Sequence, residues 1–545
     1  MKKIIISITI LAGLQLGACV KLDRQPTDGY STDQYFTNRQ AAEDNLAAVY
    51  QLTKMSGFFE DGNSILLDDI TDNAYCPFTN QMPSYIALGT ATPTLISGTY
   101  VDLYRTYFSY QGIKTANYFL ENIDKVASIT DEEKTGMKAE ARFLRAFNYA
   151  RKLMFFGGVP LITKTLAYGE ENNYPRNSEK EVADFVLTEL EQITGDLPIT
   201  SDGPLYGHIT RGAALALEAR LALFIGDYAR TEAACQKILD LGIYDLYNNY
   251  EGLFWEVNQS DPLRNKEVLL EVTYKAPTWA SWIDALYTVE EGGWNSVNPT
   301  QSLVDAYETK NGLPITEDPS YDPNHPYDNR DPRLYASVIY PGIHWNGRIF
   351  NSLEPVGPDE YYNSSKGNRS RTGYGLRKYC APLDQLPNHD PADGQGLNFI
   401  VFRYPEVLLS YAEALIEQNK DLGKAAGFIS QVRHRVGMPE VKVGSQAALR
   451  KVLRNERRVE FAFEGLRWYD LKRWKIAEEV MNGPVYGVRP GKVDMTTGAV
   501  TFSSPDHITV GAERKFNPQR DYYFPIPEED LDANEALKGH QNPNW

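Results

Sequence analysis

Cysteine is scarce in this chain of 545 residues: it occurs at 19, 76, 235 and 380, far apart and never as CxxC. That excludes a disulfide framework and a thiolate metal site. Histidine is nearly as rare, and the 7 present are scattered without ligand spacing. HExxH, GxSxG, a Walker loop and a dinucleotide fingerprint are all missing, so no nucleophile or metal centre declares itself. Positive charge is in deficit too, with 55 Lys and Arg against 72 Asp and Glu and a net charge of -17. Such a surface repels polyanions, which excludes nucleic acid as a partner. Beyond the first nineteen residues no apolar run approaches bilayer length, so no membrane-spanning helix is expected. Hydrophobic residues at 42% and charged residues at 23% describe an ordinary globular body.

What is present begins at the N-terminus. MKKIIISITILAGLQLGAC places Lys2 and Lys3 before the apolar run Ile4 to Leu16 and the small pair Gly17-Ala18. Residues 1–18 therefore read as a cleavable signal peptide. Leu16-Gly17-Ala18-Cys19 resembles the lipobox of bacterial lipoproteins, which makes Cys19 the lipidation site and residues 19–32 a lipidated tether. Two or more acyl chains hold a protein at a membrane where one does so only marginally.

From about residue 33, apolar periodicity near 3.6 recurs in pairs of segments. It predicts helices over 39–54, 99–125, 138–156, 179–194, 210–225, 228–241, 400–419, 421–436 and 446–464. In 138–156 the apolar face is Ala139, Phe143, Ala146, Phe147, Ala150, Leu153 and Met154, with Lys138, Arg142 and Lys152 elsewhere. Gly226-Asp227 separates two helices whose combined span approaches one tetratricopeptide unit, about 34 residues. Residues 243–398 change to Pro, Gly, Asn, Asp and Tyr, with strand-like runs such as EVLLEVTY, and 484–527 share that texture. The expected fold is mainly α, with tetratricopeptide-like stacked helix pairs and a loop-rich, irregular second region carrying short strands. It forms one body over 33–545, in which 33–242 and 399–483 are the helical scaffold and 243–398 and 484–545 the loop-rich binding region.

Aromatic residues make up 12% of the chain, 35 of them tyrosine. Rings with polar tips suit surfaces that are apolar and wet at once, including platforms that stack sugars. The richest stretch is KAPTWASWIDALYTVEEGGWNSVNPT, 275–300. There Trp279, Trp282 and Trp294 sit beside Glu290, Asn295 and Asn298 in a loop-rich setting, and they are the leading ligand-binding candidates together with Asn295. Tyr75, with Phe78, Asp72 and Asn73 nearby, and Trp345 in PGIHWNG come second. The acid clusters Asp68-Asp69 with Asp72, and Glu290-Glu291, are the material a glycoside hydrolase would need, but no motif marks a catalytic pair. The run 316–333 offers oxygen ligands suited to calcium without the glycine and spacing of an EF-hand, so it reads as a solvated turn region and no cofactor is indicated. The basic run KGNRSRTGYGLRKY, 366–379, reads as a solvated loop. In RNERRVEFAFEGLRWYDLKRW, 454–474, each arginine has an acid within helical reach, which predicts a buried Arg–carboxylate network rather than an anion site.

These segments occur in the order found in the SusD/RagB family of outer-membrane nutrient-binding lipoproteins. AEARFLRAFNYARKLMFFGGVPLIT, GDYARTEAACQKIL, SLVDAYETKNG, DPRLYASV, FRYPEVLLSYAEAL, NERRVEFAFEGLRWYDLKRW and YYFPIPEEDLDANEALKGHQNPNW carry the resemblance over nearly the whole chain. It implies a tetratricopeptide-like scaffold with a loop-rich binding face. It also implies a non-enzymatic protein, lipid-anchored in the cell outer membrane, that captures oligosaccharides, or in some members peptides, for a SusC-like TonB-dependent transporter. The family's ligand residues lie in variable loops and are not carried over by motif.

Overall fold

The computed structural model describes residues 36–545 except 56–62, 97–102, 168, 202–205, 277, 279, 282, 356–360, 365–366 and 388–393. The predicted signal peptide and tether lie outside them. The longer helices are α1 (Arg39–Met55), α2 (Gln111–Asn122), α3 (Asp131–Phe156), α4 (Glu179–Ile193), α5 (Arg211–Ile225), α6 (Tyr228–Asp240), α7 (Tyr404–Glu417), α8 (Leu422–Arg435), α9 (Gln446–Glu460) and α10 (Arg467–Trp474). Each from α1 to α7 packs on the next, α7 packs on α8, and α9 covers α7. That succession is the stacked helix-pair plan of a tetratricopeptide-like solenoid, continued from α6 to α7 even though residues 243–398 intervene. At its centre α5 is buried from Gly212 to Ala219 and apolar on nearly every side, with Glu218 paired to Arg230 and Arg220 to Glu406.

Local chemistry sets the helix ends. Thr130 and Ser178 form capping boxes with Glu133 and Glu181 at the starts of α3 and α4. Because of that cap α3 begins eight residues before the apolar stripe does, on a largely exposed polar turn that hydrophobic periodicity cannot register. Gly226, at φ 80°, ends α5, and the Asp227 side chain accepts from Arg230 N to start α6. Between α7 and α8 the chain turns through Asn419 and Asp421 at φ 50° and 41°, a left-handed geometry these two residue types tolerate.

Four expectations need correction. Residues 400–403 are not helical: Phe399–Arg403 is a fully buried strand paired antiparallel with Val268–Val272. Pro405 cannot continue an upstream helix, so α7 starts only at Tyr404. The helix expected over 99–125 is broken between Leu103–Phe108 and α2. The buried Lys152 ammonium donates to the carbonyls of Tyr107 at 3.0 Å and Ser109 at 2.6 Å, occupying acceptors at the break, so it points inward rather than away from the core. Finally, α9 ends at Glu460, where a turn with Phe463 and Gly465 at positive φ redirects the chain into α10.

The charged motif at 454–474 folds inward as an ionic seam. Glu460 is wholly buried and accepts from Arg333 at 2.9 Å, Arg403 at 2.5 Å and Arg435. Glu464 takes Arg403 at 2.6 and 2.7 Å and Lys378 at 2.5 Å, and Glu456 takes Arg333 at 2.5 Å and Arg433 at 3.0 Å. Burial opposes charge on Glu460, but Arg435, Arg403, Arg333 and Lys378 outweigh it and hold the carboxyl well below the usual range. The seam joins α8 and α9 to residues 331–333, 378 and 403, so it locks the loop-rich region onto the helices.

Candidate functional site

Three segments remote in sequence meet at Asn298. Ala74–Tyr75 pairs antiparallel with Asn298–Pro299, and Thr300 N donates to Asn73 O at 2.9 Å. The buried Asn298 amide donates to Asn295 O at 2.7 Å, and its oxygen accepts from Arg371 N at 2.7 Å. One asparagine thus ties the turn after Asp72, the tryptophan loop and the basic run together, all inside the core where such amides must be satisfied.

Trp294 projects from this knot. Its backbone N–H donates to Ala285 O, and that of Asn295 to Tyr287 O, both at 3.0 Å. Asn295 is only 2% exposed, sits at φ 48° and donates its amide to Asn368 O at 3.0 Å. With its backbone fixed on both sides, the indole still keeps 47% of its surface in solvent. Tyr75 and Phe78 are half-buried on the adjoining segment. Burial raises the Tyr75 hydroxyl pKa, against the opposing charge of Arg371. The Tyr75 ring lies against strand Thr509–Arg514: a Cβ added at Gly511, φ 62°, would meet its hydroxyl at 2.3 Å. A partly exposed indole, phenol or phenyl ring can stack the apolar face of a ring-shaped polar ligand, and the half-buried Arg371 and exposed Asn368 of the joined run can bond hydroxyls.

The structure places Tyr75 and Trp294 on segments joined through Asn298, whereas Asn295, 2% exposed with its amide given to Asn368 O, is a buried support and offers a ligand nothing. Trp279, Trp282 and Cys19 fall outside the described residues. Trp345 does not share the open face, because it is 3% exposed and the Arg377 guanidinium lies 5.1 Å over its ring. The basic run is not a solvated loop: Ser370 and Thr372 to Leu376 are buried, and Lys378 belongs to the ionic seam. Arg371, Asn368 and Gly511 escaped the sequence reading. The first two lay in a run whose charge pointed to solvent, and Gly511 carries no sequence signal at all.

The acid clusters are internal apart from Glu290, which is exposed. Asp72 is bonded by Arg467 at 2.8 and 2.9 Å, and burial notwithstanding, Arg458 and Arg467 keep it ionised. Burial pushes the neighbouring Asp68 up to about 7 and Asp69, aided by the Asp68 charge, well above its ordinary value. Glu291 accepts from Arg348 at 3.0 Å and Asn346 at 3.1 Å. In the run 316–333, Asp318 is occupied by Thr309, Asn311 and Ser320, and Arg330 donates to the carbonyls of Val304 and Tyr307. Among the described residues no group of three or more His, Cys, Asp or Glu is placed to hold a metal ion, and no helix is long and apolar enough to cross a membrane.

A family model described as the SusD family matches residues 244–545, more than half of the chain. This protein belongs to the SusD family. A second model, described as starch-binding and associating with the outer membrane, matches residues 34–223. Among SusD-family relatives, the chain is 26% identical over 511 residues to SusD-like protein P38 of Formosa agariphila, covering 90% of this chain and 95% of that protein. It is 25% identical over 390 residues to the starch-binding protein SusD of Bacteroides thetaiotaomicron, covering 66% and 67% of the two chains. A solved SusD-like carbohydrate-binding protein from Bacteroides fragilis superposes with TM-score 0.79 at 29% identity, covering 92% of this chain and all of that one.

Proposed function

We propose that this protein is a cell-surface lipoprotein, anchored through Cys19 in the outer membrane, that captures oligosaccharides on the Trp294 face and delivers them to a SusC-like TonB-dependent transporter without cleaving them. The observation that carries this reading is an indole 47% exposed on a backbone held by buried asparagines, four residues from the strand that pairs with Tyr75. A rigid platform loses little conformational freedom on binding, which favours capture. Family membership supports the ligand class, since relatives are named for binding starch and carbohydrate. The association with the outer membrane named for the second family model agrees with the lipobox at residues 16–19.

Prolonged incubation with a panel of soluble polysaccharides tests the reading. Retention of at least one glycan without release of reducing ends is the expected result. Release of reducing ends would overturn the non-enzymatic reading, and exclusive retention of peptides would replace the ligand class. Cys19→Ala should move the protein from the membrane to the soluble fraction with glycan retention intact, and a variant that stayed membrane-bound would contradict the anchor.

A further inference from the structure

The helical side carries a second furrow that shares no residue with the Trp294 face. Two cavities, of about 220 and 510 Å³, are both lined by Lys266. Tyr206 and Tyr244 line the smaller, Tyr247 and Tyr404 the larger. Together they reach the size range of small-molecule sites.

Two of these tyrosines are held in the same way. Tyr206 is 50% exposed, and its hydroxyl donates to Glu271 at 2.9 Å and accepts from Asn398 at 3.1 Å. Tyr247 is half-buried, and its hydroxyl donates to Asp261 at 2.9 Å. Between them Tyr244 and Tyr404 stack at 6.2 Å. Tyr244 seats itself over Gly212 of α5, where an added Cβ would fall 1.9 Å from its hydroxyl. Pinned hydroxyls fix the ring planes before any ligand arrives, so stacking on them costs little conformational freedom. Lys266, Asn248, Gln431 and His434 border the furrow from exposed positions and supply donors and acceptors. Of the other lining groups, Glu271 pairs with Arg264, Arg435 with Glu267 and Glu460, His208 is hydrogen-bonded to Glu140, and Asp245 accepts from Leu246 N.

We propose that this furrow is a second saccharide-binding site, in which Tyr206 and Tyr247 stack successive sugar rings and Lys266 bonds the hydroxyls between them. A second site would let one molecule hold a long glycan at two points, raising its effective concentration at the Trp294 face. The proposal rests on the capture reading above.

Native mass spectrometry with size-selected hexasaccharides from the polysaccharide that the wild-type protein retains tests it. Wild type should carry two copies, the Trp294→Ala variant one, and the Tyr206→Ala/Tyr247→Ala variant one, with affinity at the furrow falling at least tenfold. Lys266→Ala, a change at an exposed position, should weaken the second copy while circular dichroism stays that of wild type. A single copy on wild type, or two undiminished copies on Tyr206→Ala/Tyr247→Ala, would overturn the furrow and leave the Trp294 face standing. If wild type retains no polysaccharide, the capture reading falls first and the furrow with it.

Discussion

The ionic seam around Glu460 and the loop face around Trp294 are both knit by side-chain bonds between remote segments, but they differ in what is left over. In the seam, guanidinium groups and carboxylates consume one another and everything is buried. At the face, buried asparagines consume the backbone's bonds, and an indole is left to solvent. The first arrangement spends its polar groups on holding two regions together. The second spends them on rigidity and leaves an apolar ring open to solvent. On the proposed capture reading, stability and recognition are separable in this chain, and substitutions should divide accordingly.

The largest effect is expected in the seam. Glu460→Ala leaves Arg333, Arg403 and Arg435 without their shared carboxylate, and breaking a buried pair from one side costs about 3–5 kcal/mol. Denaturant unfolding should show that loss; a change below about 1 kcal/mol would mean the seam is not what locks the regions. Gly511→Ala comes next, because it joins the two regions in one position. Positive φ alone costs an L residue about 1–2 kcal/mol, and the added Cβ must displace the Tyr75 hydroxyl. A modest fall in stability should come with weaker glycan retention, and retention unchanged would remove Tyr75 from the site.

A smaller effect is expected beneath the face at Asp69, whose oxygens have no hydrogen-bond partner and whose carboxyl burial and Asp68 hold protonated well above the ordinary 3.8. The folded state then binds a proton that the unfolded chain releases near 3.8, so stability is fully present below that pH and declines as pH rises above it. Asp69→Asn keeps the neutral form, and its thermal midpoint should exceed that of wild type at pH 8 and converge with it near pH 4. An equal difference at both pH values would contradict the protonated assignment.

Much of this division is legible in the residues. The seam announces itself because acids and arginines alternate at helical spacing in 454–474, and helices α4 to α6 follow from periodicity with Ser178, Thr210, Gly226 and Asp227 at their ends. What was hidden depends on partners far away in sequence. Phe399–Arg403 is a strand only because Val268–Val272 lies beside it, and Lys152 is buried only because a helix break supplies carbonyls. At the face, tryptophan and asparagine drew notice by type, while Arg371 and Gly511 matter through tertiary placement. Trp345 misled for the same reason, since an aromatic in a glycine-flanked loop looks exposed until the fold buries it.

The Trp279→Ala/Trp282→Ala/Trp294→Ala variant, measured for polysaccharide retention and thermal midpoint together, tests the separation most directly. Retention lost, or weakened at least tenfold (about 1.4 kcal/mol), with the midpoint of wild type preserved is the predicted result. Retention equal to wild type would contradict the account.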